Sequence, residues 1–74
     1  MKIDRSLPHW PQLADEIRRR IQDGTYPAGG RLPGTVALAA EFDVSQSTAS
    51  RALSHLRSEG LVYVVSGQGY YVSD

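Results

Sequence analysis

From Ser45 to Arg51 the chain reads Ser-Gln-Ser-Thr-Ala-Ser-Arg, which sets hydroxyls, one carboxamide and one guanidinium side by side. These groups donate and accept hydrogen bonds in many directions, and no acid stands among them to take a proton. Their chemistry is that of recognition. No serine sits in a nucleophile elbow or another catalytic constellation, so no enzyme activity and no catalytic residue are expected. His9 and His55 have no carboxylate or second ligand at a metal spacing, and the chain has no cysteine. Metal, disulfide and cofactor are therefore all expected to be absent.

Serine and threonine are mediocre inside helices because they compete with the backbone for hydrogen bonds. Ala49, Ala52, Leu53 and Leu56 nevertheless recur at helical spacing, so the stretch must open a helix. Ser45 is placed as its N-cap, able to accept from the N–H of Ser47 or Thr48, with Val44 packing on Ala49 as a staple. Gly60 closes the helix after Ser58 or Glu59.

Upstream, Leu13, Ala14, Ile17 and Ile21 form an apolar stripe that predicts a first helix over Pro11 to Gln22, ended by Gly24. Asp15 with Arg19 and Glu16 with Arg20 are spaced as i, i+4 pairs, and Arg18 to Arg20 read as a solvated face. A connector rich in glycine and proline follows, Gly24 to Gly34, in which Arg31 and Leu32 supply a very short strand. A second helix is predicted over Thr35 to Phe42, capped by Gly34 or Thr35, with a tight turn at Asp43 and Val44. Two β-rich runs between Leu61 and Val72 surround Ser66, Gly67, Gln68 and Gly69, a hairpin with a glycine turn.

The order of elements defines an α+β class: a small winged helix-turn-helix, three helices with a C-terminal β-hairpin wing, in one domain spanning residues 1–74. In such a motif the start of the second helix of the pair faces base edges in the major groove of double-stranded DNA. Short polar side chains there let the backbone come close. The chain has 74 residues, with eight basic and eight acidic side chains and a net charge of zero. The electrostatic footprint of a nucleic-acid binder is thus missing from the total. Its distribution is uneven, since Val44 to Ser58 holds Arg51 and Arg57 and no acid, while Leu61 to Ser73 is uncharged. No apolar run is long enough for a membrane span or a secretory signal, so a cytoplasmic protein is expected.

The residues resemble the DNA-binding domain of the GntR family of bacterial transcription regulators. The resemblance is carried by Pro8 to Ile17, by Tyr26 to Pro33, and by Leu38, Ala39, Phe42, Val44, Ser45, Thr48, Ala52, Leu53, Leu56, Glu59, Gly60, Leu61 and Val62. Gly67, Gly69 and Val72 match the family's wing. The resemblance implies sequence-specific DNA binding, with the helix from about Gln46 to Ser58 in the major groove and the wing at the neighbouring minor groove or backbone. The DNA-facing set expected is Thr35, Ser45, Gln46, Ser47, Thr48, Ser50, Arg51, Gly67, Gln68 and Gly69.

The chain departs from the family at several arginine positions. Gly34, Thr35 and Val36 stand where Ser-Glu-Arg is usual, Gln46 and Ser50 stand where the third helix usually has arginine, and Val64, Val65 and Gln68 replace basic wing residues. Arg51 fits the second arginine of a frequent pair. Each lost cation removes a phosphate contact, so weak non-specific binding is expected, with base reading supported by a second copy or a partner protein. No small-molecule effector is expected within this chain. The rival reading is a protein-interaction module on the same scaffold, suggested by the neutral charge and by Tyr63, Tyr70 and Tyr71 in the wing. Trp10 is expected to be a packing aromatic.

Overall fold

A computed structural model describes residues 2–74. Its elements are α1 (His9–Gln22), α2 (Thr35–Phe42), α3 (Gln46–Ser58), β1 (Val62–Val65) and β2 (Gly69–Val72). No helix among the described residues is long and apolar enough to cross a membrane.

Helix α1 starts at His9 rather than Pro11. Pro11 still lies in the first turn, where its missing N–H costs no helical hydrogen bond. The entering chain is tied down by Gln12, whose carboxamide accepts from the Asp4 N–H at 2.8 Å and donates to the carbonyls of Asp4 and Pro8, each at 2.9 Å. Leu13, Ala14 and Ile17 face inward, as their spacing predicts. Past the end of the helix Gly24 adopts φ +84°, the left-handed conformation that glycine enters most freely.

The polar face of α1 corrects the sequence expectation. Arg18 and Arg20 are clamps rather than part of a solvated face, because acids on other elements reach them, while Arg19 stays exposed and pairs only with acids of its own helix and its end. Arg18 holds Glu59, beyond the end of α3, at 2.8 Å, and it also takes Asp15 at 2.7 Å, so the expected Asp15–Arg19 pair does not form. Arg19 pairs instead with Glu16 and Asp23. Arg20 forms the expected pair with Glu16 at 2.9 Å and reaches across to Glu41 of α2 at 2.8 Å. Its guanidinium also donates to the Tyr26 hydroxyl at 2.8 Å and lies 5.0 Å from the centre of the Phe42 ring. Glu16 is thus a buried carboxylate with two guanidinium partners. Their hydrogen bonds, Arg19's above all, hold it at a pKa of about 2.

Helix α2 is short and has no side-chain cap; Gly34 precedes it in an extended conformation. Asp43 ends it in the left-handed region at φ 53°, and the Val44 N–H returns to the Ala39 carbonyl at 3.0 Å. Aspartate is one of the few side chains that enters this region readily. Arg5 donates to the Phe42 carbonyl at 3.2 Å, placing a cation where the helix dipole is negative. The turn leaves only Val44 and Ser45 before α3, which crosses both other helices. Ala49, Ala52, Leu53 and Leu56 of α3 are fully buried against Leu13, Ile17, Leu38 and Phe42 in a single core.

The hairpin pairs antiparallel in the register Val62↔Val72, Tyr63↔Tyr71, Val64↔Tyr70 and Val65↔Gly69. Val62 and Val72 close its root against the core. The short connector strand is a single bridge, Arg31↔Tyr71. Around it the Leu32 N–H donates to the Tyr70 carbonyl, Gly29 donates to Val72, and Val72 donates to Gly30, each at 2.9 Å. The connector therefore lines the outer edge of β2.

Candidate nucleic-acid interface

With one face of α3 consumed by the core, helical geometry decides what the other presents. Ser47, Ser50, Ser54 and Arg57 follow one another at three- and four-residue steps, with Arg51 beside them, and all are exposed. Ser54 and Arg57 extend the expected face by two turns. Their spacing was the sequence signal that could have found them. Gln46 is also exposed, and Thr48 is half-buried.

The first turn tolerates poor helix formers because its hydroxyls are tied together. Ser45 Oγ accepts from the Thr48 N–H at 3.1 Å and donates to Thr48 Oγ1 at 2.9 Å, with Ser47 Oγ at 3.1 Å. Of the two cap partners expected, Thr48 is the one used. The hydroxyls of Ser45 and Thr48 are thereby committed to the cap, while Gln46 and Ser50 keep free polar ends. A helix start also leaves unpaired backbone N–H groups, which attract anionic oxygens.

Arg51 does not wave freely in solvent. Its guanidinium carbon lies 4.8 Å from the centre of the Trp10 ring, a cation–π contact between α3 and the start of α1. Trp10 packs against the core, as expected, and meets the His55 ring edge-on at 5.0 Å between centroids. His55 has a carboxylate neighbour after all, Glu59 one turn on at 3.4 Å, which corrects the expectation of none. Among the described residues no group of three or more His, Cys, Asp or Glu is placed to hold a metal ion.

At the wing the Gln68 N–H closes the turn onto the Val65 carbonyl at 2.9 Å. Gly67 takes φ +78° at the third turn position, and Gly69 takes φ +114°. Neither conformation suits a residue with a Cβ. Gln68 is exposed, and its Oε1 accepts from the Tyr71 hydroxyl at 3.0 Å. Tyr63 and Tyr71 stack across the hairpin at 5.8 Å. Beside them lies a residue that sequence reasoning passed over. The Arg31 guanidinium comes within 3.7 Å of where a Cβ on Gly69 would be, so the hairpin without charges of its own has a cation laid alongside it. Only the backbone pairing of the connector with β2 brings it there, and no local pattern announces that pairing. At the start of α2, Thr35 is half-buried and Val36 is 64% exposed, so this helix offers no cation.

The neutral total charge conceals a division of labour. Arg5, Arg18, Arg19 and Arg20 are each paired with acids. Arg31, Arg51 and Arg57 have no acid within ion-pair range among the described residues. The unpaired guanidinium groups are thus on α3 and along the wing.

Three helices, a tight turn before the last of them, and a hairpin with a connector strand define a winged helix-turn-helix domain. The chain belongs to a family within that class: the model of the bacterial regulatory proteins of the gntR family matches residues 11–72. It is 50% identical over 60 residues to RB1450, an HTH-type transcriptional regulator of Rhizobium meliloti, covering 81% of this chain and 25% of that protein. It is 40% identical over 60 residues to the transcriptional regulator GmuR of Bacillus subtilis, with the same coverage of 81% and 25%. The chain therefore spans about a quarter of the length of these curated relatives. Among solved structures, a GntR family transcriptional regulator from Listeria monocytogenes superposes with a TM-score of 0.92 at 34% identity, over 96% of this chain and 62% of that one. The DNA-binding domain of AraR in complex with operator ORX1 superposes with a TM-score of 0.86 at 34% identity, over 90% of this chain and 81% of that one.

Proposed function

We propose that residues 1–74 form the sequence-specific DNA-binding domain of a bacterial transcription regulator acting in the cytoplasm. The observation that carries this reading is the capped first turn of α3, which leaves Gln46, Ser47 and Ser50 exposed on a helix whose other face is wholly in the core. The likeness to an operator-bound domain supports it. The rival reading as a protein-interaction module is not favoured, since the relatives are named as transcriptional regulators.

In this reading α3 enters the major groove. Gln46, Ser47, Thr48 and Ser50 read base edges, glutamine being able to pair bidentately with adenine and the threonine methyl to touch that of thymine. Arg51, Thr35 and the free N–H groups at the start of α3, that of Ser45 included, hold phosphates, and Arg57 adds a contact further along the helix. The wing, Gly67 to Gly69 with Arg31 alongside, meets the adjacent minor groove or backbone. Two copies on a pseudo-palindrome would place their half-sites one helical turn, or a multiple, apart.

Selection of duplexes from a random pool at low and moderate salt tests the reading. A sequence-selected complex is expected, and no retention even at low salt overturns it. Gln46→Ala is expected to relax base preference at one or two positions. Arg51→Ala is expected to weaken all sequences alike and to reduce the salt slope by about 0.9. If both variants bind as the parent does, α3 is not the reading face.

A further inference from the structure

His55 stands between the ion pairs that hold α1 to α3 and the guanidinium that α3 offers to a ligand. Its imidazole meets the Trp10 ring edge-on at 5.0 Å between centroids, and Arg51, one turn earlier on α3, has its guanidinium carbon 4.8 Å from the centre of that same ring. Residues four apart on a helix are surface neighbours, so imidazole and guanidinium share both a strip of helix and an aromatic platform. One turn later, Glu59 Oε2 lies 3.4 Å from His55 Nε2. That carboxylate is already engaged by Arg18 of α1, whose Nη2 donates to its two oxygens at 2.8 and 3.1 Å. The charged groups around His55 among the described residues are therefore Arg51 and Glu59 from α3 and its end, and Arg18 from α1. The side chain itself is 40% exposed, open to a proton from solvent.

Histidine is the side chain whose charge changes between about pH 5 and 8, while guanidinium groups stay charged throughout that range. A protonated His55 is a second cation beside Arg51. In the free chain the Arg51 charge opposes it, and Glu59 favours it with a carboxylate that Arg18 already shares. A phosphate oxygen seated on Arg51 cancels the opposing charge and adds an anion of its own, so bound DNA favours the protonated imidazole. Linkage is reciprocal, and the proton favours bound DNA to the same degree. We infer that His55 is a proton-sensing regulator of the DNA-binding face, tightening its hold on a duplex as the pH falls from about 8 to about 5.5, with Arg51 as the residue that couples proton to phosphate. The inference rests on the proposed phosphate contact of Arg51.

The test titrates the purified chain onto a duplex selected by it, at fixed ionic strength, from about pH 8 to about pH 5.5. This window lies above 4.5, below which the contribution of Glu16 to stability is lost, so the chain stays folded across it. Binding is expected to tighten about 3- to 10-fold, the scale of one added charge several ångströms from a phosphate and screened by salt. His55→Gln should show a flat profile at the weaker level, and His9→Gln should keep the full response. His55→Arg carries its charge at every pH and should bind at about pH 8 as tightly as the parent does at about pH 5.5. Arg51→Gln should bind more weakly throughout and lose most of the pH response. The inference is overturned by a flat profile in the parent, by a response that survives in His55→Gln, or by a full response in Arg51→Gln. The parent's own profile suffices for this if a variant fails to fold. Failure to retain any duplex at low salt overturns the DNA-binding reading itself, whereas a selected complex with no pH dependence overturns this inference alone.

Discussion

A guanidinium stacked on an indole has already given up much of its rotamer freedom before any phosphate arrives. Arg51 and Trp10 stand in that relation at 4.8 Å, so Trp10 reaches a binding function that it does not itself perform. Trp10→Leu is expected to weaken binding of selected and unselected duplexes alike by about 2- to 10-fold, in keeping with a cation–π contact of about 0.5–1.5 kcal/mol. Trp10→Phe should recover part of the loss. Titration of both duplexes with the two variants checks this, and a loss confined to the selected duplex would assign Trp10 to base reading instead. At this scale the sequence disclosed what depends on local spacing. Gln46, Ser47 and Ser50 stand exposed where helical geometry puts them. Arg31 was illegible because its position beside Gly69 comes from pairing between segments far apart in the chain.

Among the elements, α2 and α3 begin and end where their punctuation says, since Gly34, Asp43, Ser45 and Gly60 act through their own backbone or that of a close neighbour. The start of α1 was less legible, because Pro8 makes no side-chain cap and the first turn is held instead by Gln12 reaching back to Asp4 and Pro8. Of the two expected ion pairs of α1, Glu16–Arg20 forms and Asp15–Arg19 does not; the tie from Arg18 to Glu59 spans 41 residues, and helical spacing carries no information about it. In the proposed reading the cap of α3 sets the geometry of the exposed first turn. Ser45→Ala removes the acceptor of the Thr48 N–H and is expected to cost about 1 kcal/mol of stability, measured by denaturant unfolding. Ser45→Asp should retain most of it, since a carboxylate caps equally well and suits the positive end of the helix dipole. That variant is also expected to repel phosphate, so its stability and its DNA affinity should move apart.

Taken as a whole, the molecule uses its charges in two ways. Those of α1 hold the helices to one another, and those of α3 and the wing edge are left for a ligand. The first group makes stability sensitive to acid. Glu16 is held at about 2, against an ordinary 4.5, so the unfolded chain takes up this proton at a higher pH than the folded one. Its contribution is complete above about 4.5 and is lost as the pH falls toward 2. The melting temperature is therefore expected to change little between about pH 7 and pH 5 and to drop below that. Glu16→Gln should melt lower at neutral pH and show a shallower acid decline; an unchanged acid limb would show that other carboxylates govern it. The neutral composition was legible at once, but which cations remained unpaired was settled only by the packing of α1 on α2 and α3.

The bonds from Gly29, Gly30 and Leu32 to the outer edge of β2 have a consequence for engineering. The projecting ribbon is not a detachable module: transplanted onto another scaffold without the connector from Gly29 to Leu32, it would lose its third rail and the guanidinium that rides on it. Swapping specificity between relatives therefore means exchanging two separated pieces of chain together.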